Sequence, residues 1–186
     1  MSFMASALKN NLDLKAFLVL WGAGNSGKTS TLRMLIEELS KNPAVSMFLS
    51  KRKEFRIIVE YKGIYIYLST YGDTLEDTQA NIAFFDGELN ATRIFIYRIN
   101  SPVVKLNAGF DYIHNYTPSF CISASRSDGR VPFPLNFYGQ KMRIHTSSIV
   151  WLHKEKEVRL NHQIANRNHA KELHKFIDDK MSGSLI

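Results

Sequence analysis

The segment 22–29, Gly-Ala-Gly-Asn-Ser-Gly-Lys-Thr, constrains this chain more than any other stretch. It follows directly on an unbroken apolar run at 16–21 (AFLVLW) and leads into a stretch with helical periodicity. A continuous apolar run that stops at glycine reads as a strand buried on both faces of a parallel sheet. Within 31–41, Leu32, Leu35, Ile36 and Leu39 fall at i, i+3, i+4 and i+7, with Arg33, Glu37 and Glu38 on the other side. That spacing predicts an amphipathic helix with one side packed on a sheet, ended by Asn42-Pro43. Strand, glycine turn and helix thus follow one another closely, and the remaining elements point to an α/β sandwich.

Residues 44–49 read as a second strand. Segments 55–61 (FRIIVEY) and 64–70 (IYIYLST) are rich in β-branched and aromatic residues, and only Lys62-Gly63 separates them. A two-residue turn ending in glycine predicts an antiparallel hairpin. Thr74, with Asp77 three residues on, opens a predicted helix that shares Leu75, Ile82 and Phe85 on one face and stops at Gly87. Residues 92–100 fit strand or helix, and 101–116 carry no clear pattern. Residues 120–124 and 149–152 read as further strands. Residues 131–140 contain Pro132 and Pro134 and read as a loop, a candidate flap. From 161 to 181 the pattern is helical, with Ala170, Leu173, Ile177 and Met181 on one stripe. His162, His169 and His174 are assigned to that helix's solvated face. There is no internal repeat, and 186 residues suit one domain with 1–14 as an N-terminal extension.

Composition narrows the function classes. The chain is 45% hydrophobic and 12% aromatic, which excludes disorder. Its single cysteine, Cys121, allows no intrachain disulfide and reads as a small core residue, so a reducing, cytoplasmic setting is expected. No apolar stretch reaches the roughly 20 residues a membrane span requires. Lys9, Asn10, Asn11 and Asp13 interrupt the first residues, which do not read as a signal peptide. The six histidines show no zinc-ligand spacing with the cysteine. A formal charge of +7 favours polyanionic partners. A nucleoside triphosphate satisfies that charge. Nucleic acid has only the charge in its favour, since Lys51-Arg52-Lys53 reads as a solvated loop.

The segment 22–29 matches G-x-x-x-x-G-K-[ST] at every fixed position. Gly22 and Gly27 are expected to take backbone angles closed to other residues and to keep side chains out of the site. Successive amides through Gly24, Asn25, Ser26 and on to Ser30 then form an anion nest, to which the helix adds its positive end. Lys28 would reach the β- and γ-phosphates, and the Thr29 hydroxyl would complete a Mg²⁺ shell. On these residues the chain resembles the P-loop NTPase superfamily, closely over 16–40 and in architecture elsewhere. The resemblance implies a three-layer α/β/α sandwich with a mostly parallel sheet, here including an antiparallel hairpin. It also implies that ATP, or GTP, binds with Mg²⁺ at Gly22, Gly24, Asn25, Ser26, Gly27, Lys28, Thr29 and Ser30. ATP is preferred because it is the commoner ligand of the superfamily.

Members of that superfamily hold Mg²⁺ with an acid at the end of a neighbouring strand. Asp73, following 64–70, is the preferred match, to act with Thr29. Asp73 also fits a plain turn or helix cap, and Asp86, following Phe85 and close to Glu88, is the rival. The hairpin before Asp73 resembles GTPase-like members, but Asp73-Thr74-Leu75-Glu76 lacks their glycine. Ser125-Arg126-Ser127-Asp128 stands where those members carry [N/T]-K-x-D, with Ser and Arg in place of the usual residues. By that likeness Asp128 would read guanine while Arg126 covers the base. Alternatively Arg126, or more weakly Arg130, would stabilise transition-state charge, and a surface turn is the plainest reading. The expected activity is NTP hydrolysis or phosphoryl transfer to an unknown acceptor. Lys28, Asp73 and Arg126 would be catalytic, and Thr70 or Thr74 would orient water. The alternative is a nucleotide-dependent switch read by a protein partner.

Overall fold

The computed structural model describes residues 16–41, 54–71, 93–98, 107–112, 115–116, 118–126, 149–153 and 162–183. Strand β1 (Ala16–Gly22) carries Leu18, Val19 and Leu20, all at most 1% exposed, so it is covered on both faces. Helix α1 (Lys28–Ser40) follows it. The expected stripe is present, since Leu32, Leu35, Ile36 and Leu39 are all buried. The helix starts earlier than the apolar pattern alone indicated, at Lys28 and not Thr31. Periodicity registers only the residues that pack on the sheet, and the first turn of α1 faces elsewhere.

The hairpin forms as expected from β2 (Arg56–Tyr61) and β3 (Ile64–Ser69). Lys62 (φ 49°) and Gly63 (φ 79°) both take left-handed angles, as the tight turn between twisted strands demands. β4 (Arg93–Arg98) settles the ambiguous 92–100 segment as strand, parallel to β2. β5 (Asn107–Tyr112) lies in the segment that carried no pattern and pairs antiparallel with β4. Its Asn, Gly and Asp residues are poor strand formers, so pairing at the sheet edge decides its conformation. β6 (Phe120–Arg126) and β7 (Ile149–His153) flank β1, both parallel to it. The seven strands form one sheet in the order β5-β4-β2-β3-β6-β1-β7. Four of its six pairings are parallel, those of β1 with β6, β1 with β7, β2 with β4 and β3 with β6. The described chain is therefore a mixed α/β unit with a mostly parallel sheet. The strand expected at 44–49, the helix at 75–85 and the flap at 131–140 lie outside the described residues.

Helix α2 (His162–Met181) packs on α1, and together they cover one face of the sheet. Ala170, Leu173 and Ile177 join Leu32, Leu35, Leu18, Leu20 and Ile122 in one core, with Met181 half-buried beside it. Each fully buried aliphatic side chain contributes about 1.5–3 kcal/mol. Val19, Ile58, Tyr67 and Cys121 are buried too, outside that core. Burial pushes the Cys121 thiol well above its ordinary range, consistent with the expected inert core residue. No described helix is long and apolar enough to cross a membrane.

A polar clamp ties the C-terminal half of α2 to the hairpin. The Tyr61 hydroxyl donates to Asp178 Oδ1 at 3.1 Å and lies 2.9 Å from His174 Nε2. Tyr61 has one proton to give, so the Nε2–H of His174 donates to the phenol oxygen. Lys62 Nζ completes the clamp at 2.9 Å from Asp178 Oδ1. His174 is thus not on the solvated face assigned to it. Burial holds the imidazole below its ordinary value, opposed in part by Asp178. Burial raises the Asp178 carboxyl, but hydrogen bonds from Lys62 and Tyr61 outweigh it and leave the carboxyl lowered. Unfolded histidine binds protons near pH 6.5, more readily than folded His174. The stability due to His174 is therefore complete above about pH 6.5 and declines as pH falls below that. Acidification from about pH 7.5 to 5.5 is expected to destabilise the wild type more than His174→Gln. Urea unfolding of both proteins across that range checks this, and parallel slopes would contradict it.

Candidate functional site

Between the end of β1 and the start of α1 the chain turns within residues 23–27. Asn25 (φ 61°) and Gly27 (φ 89°) carry the turn in left-handed conformation. Asn25 is exposed and asparagine tolerates this region. Gly27 is doubly required. Its φ disfavours any side chain, and an added Cβ would stand 2.4 Å from Asn166 Oδ1. Gly22, expected to share this role, has no positive φ and is a buried strand residue. Its part is played by its carbonyl, which accepts from Lys28 Nζ at 2.8 Å, while the Ala23 carbonyl accepts at 3.0 Å. Lys28 is 7% exposed, so its ammonium sits inside the loop.

Gly27 is the N-cap of α1 and supplies no capping side chain. The first backbone bond of the helix runs from Thr31 N–H to Gly27 O at 2.9 Å. The preceding amides of Lys28, Thr29 and Ser30 therefore have no carbonyl within the helix to bond. The first turn contains no acidic residue to offset the positive end of the helix. Ser26 is 2% exposed, and its hydroxyl has no hydrogen-bond partner. Such a group costs about 1–3 kcal/mol in a folded chain and points to a ligand that would satisfy it. Amides, ammonium and hydroxyl together fit an anion with several acceptor oxygens.

A cavity of about 590 Å³ opens over this loop. Asn25, Ser26, Gly27, Lys28, Thr29 and Ser30 form its floor, with Arg33 and Met34 further along α1. Glu54 and Thr70 line it from the hairpin side, and His162, Gln163 and Asn166 from the first turns of α2. Glu54 is the one carboxylate among the described lining residues. Its place is fixed by its neighbour. Thr70 Oγ1 accepts from Phe55 N–H at 2.8 Å and donates to Phe55 O at 3.3 Å, and Thr70 N–H donates to the same oxygen at 3.0 Å. The Thr70 hydroxyl thereby bonds the backbone in both directions, and Thr70 positions residues 54–55. Burial lowers the ionisation range of Arg33.

The sheet order bears on the other candidates. β6 lies between β1 and β3, so the strand leading toward Asp73 is not a neighbour of β1. The two are about 10 Å apart, twice the strand spacing. Arg126 is closer, because β6 pairs it in register with Gly22 at the start of the loop. Asp73, Asp86, Glu88, Asp128, Arg130 and Thr74 lie outside the described residues. Sequence reasoning missed Glu54, a lone acid beside Lys51-Arg52-Lys53 with no motif to mark it. It also missed His162, which it assigned to the solvated face, and Asn166. A signal for Asn166 existed, since extending the stripe Ala170, Leu173, Ile177 back by four residues lands on it.

Compared with known proteins, the chain matches no family model, no curated protein and no solved structure. The site is therefore interpreted from its own geometry. Gly27→Ala is expected to cost about 1–3 kcal/mol through backbone strain, with the Asn166 contact adding to it. Combining it with Asn166→Ala should relieve the contact, so that the double variant loses less than the sum of the two. Urea denaturation of the three variants measures this. A Gly27→Ala protein as stable as wild type would contradict the reading.

Proposed function

We propose that this chain binds a nucleoside triphosphate, with Mg²⁺, by its triphosphate tail in the cavity over residues 22–30, and cleaves or transfers the terminal phosphoryl group. The observation that carries the reading is the convergence at one point of the uncapped start of α1, the enclosed Lys28 ammonium and the unpartnered Ser26 hydroxyl. A phosphate chain satisfies all three, whereas a neutral ligand satisfies none of the charge. On this reading the fold is a P-loop three-layer α/β/α sandwich, supported by burial on both faces of the sheet. ATP is favoured over GTP by the superfamily resemblance alone. The buried lone thiol suits the cytoplasm.

The residues divide the work simply. The amides at the start of α1, those of Lys28, Thr29 and Ser30, and the Lys28 ammonium hold phosphate oxygens and orient the chain of phosphates, while the Ser26 amide closes the loop on the Ala23 carbonyl. Thr29 and Glu54 line the same cavity and are the described residues suited to hold Mg²⁺, with Asp73, outside the described residues, the alternative acid. When bound, Mg²⁺ neutralises phosphate charge. Glu54 is also the described carboxylate best placed to accept a proton from an attacking water or acceptor hydroxyl. Arg126 pairs in register with Gly22 by its backbone and is the candidate for stabilising transition-state charge.

Titration calorimetry with Mg-ATP tests the binding claim. Lys28→Ala is expected to weaken binding roughly 10- to 150-fold, the range for loss of a charged hydrogen bond of about 1.5–3 kcal/mol. Equal affinity of wild type and variant would overturn it, as would no binding by either. Phosphate release tests the chemistry. Glu54→Gln is expected to lower turnover by about 10²–10⁴-fold while the affinity for metal-free ATP changes little. Asp73→Asn, assayed in parallel, decides whether the alternative acid takes that role instead. Tight binding with no phosphate release, whatever acceptor is offered, would replace the enzyme by a nucleotide-dependent switch.

A further inference from the structure

We infer that Asn166, on the C-terminal helix, is the positioning residue that holds the glycine loop in its anion-receiving shape, and that α2 is thereby coupled to occupancy of the site. The inference rests on the triphosphate reading of the loop. Asn166 is 5% exposed, on the same stripe as Ala170, Leu173 and Ile177, yet it is polar. Its Oδ1 accepts a hydrogen bond from Thr31 Oγ1 at 3.2 Å, across 135 residues of sequence. Its amide group also lies against Gly27. A Cβ built there would meet Oδ1 at 2.4 Å, Nδ2 at 2.9 Å and Cγ at 3.0 Å.

Those two contacts bracket the start of α1. Gly27 is the residue whose angles aim the amides of Lys28, Thr29 and Ser30, and Thr31 makes the first helical bond back to Gly27. A glycine in left-handed conformation has other basins open to it at little cost. Asn166 fills the space beside Gly27 where a side chain would stand, which leaves the loop little room to shift toward α2. The loop is thus held from within by Lys28 on the Gly22 and Ala23 carbonyls, and from outside by Asn166. Holding a loop in its bound shape removes an ordering cost that binding would otherwise meet.

The choice of amide over acid has its own meaning. Aspartate would keep the acceptor for Thr31 and nearly the same shape. It would also place a negative charge against an anion site. Asparagine supplies the contact without the charge. The coupling is reciprocal, so a ligand that stabilises the loop must also stabilise the first turns of α2 against local opening. His162 and Gln163, which line the same cavity, lie on those turns.

The test uses the full chain with Mg-ATP and, separately, inorganic tripolyphosphate as probes, alongside Lys28→Ala as the reference for a damaged loop. Asn166→Ala and Thr31→Val are each expected to weaken both probes, by up to about tenfold for loss of one hydrogen bond. Thr31→Val keeps the side-chain shape and guards against an Asn166 variant that fails to fold. Asn166→Asp is expected to weaken both probes beyond Asn166→Ala at low salt, with the excess shrinking as ionic strength rises. That salt-dependent excess reports the charge beside the anion, so the positioning role itself is read from Asn166→Ala and Thr31→Val, whose losses should persist at high salt. Hydrogen exchange should slow in 162–170 when wild type binds either probe. If wild type binds and Lys28→Ala does not, but the Asn166 and Thr31 variants bind as wild type does, this inference fails and the triphosphate reading stands. If wild type binds neither probe, both fall together.

Discussion

A chain that leaves a strand buried on both faces and enters a helix a few residues later must reverse direction inside the protein. Here it does so through Gly27, held at φ 89° with no room for a side chain. That one backbone state leaves the start of α1 without a capping side chain, and the residues of its first turn line the cavity. Lys28 then has a place to fold inward, onto the carbonyls of Gly22 and Ala23. The packing of α1 and α2 on the sheet fixes the frame in which this happens, since both helices contribute to one apolar core. Much of the site's electrostatic character follows from where that helix begins.

Features written into short stretches of sequence were legible. The strand at 16–21, the apolar stripe of α1, the Lys62-Gly63 hairpin and the C-terminal helix all depend on local periodicity or turn chemistry. Those signals survive folding because burial reinforces them. The tight turn between β1 and α1 was legible for the same reason, as a contiguous glycine-rich stretch between an apolar run and a helical stripe. β5 was not, because its Asn, Gly and Asp residues carry little strand preference and pairing with β4 supplies what they lack. Gly22 shows a subtler limit. A motif states that a glycine is present but not which property of glycine is used, and only Gly27 needs the left-handed angle.

What the sequence hides is whatever distant segments bring together. Glu54 reaches the cavity because Thr70, fifteen residues away, clamps Phe55 by its backbone. Asn166 reaches Gly27 because α2 lies along α1. The insertion of β6 between β1 and β3 changes which backbone positions stand next to the loop, and no local pattern announces strand order. It brings Arg126 beside Gly22 and sets the strand before Asp73 one place further off.

The account rests on amides at the start of α1 receiving phosphate oxygens, and amide NMR observes those groups directly. During titration with Mg-ATP, the backbone resonances of Gly24 to Ser30 should move most and saturate together. Saturable binding that leaves those resonances still while others move would place the ligand elsewhere and contradict the account.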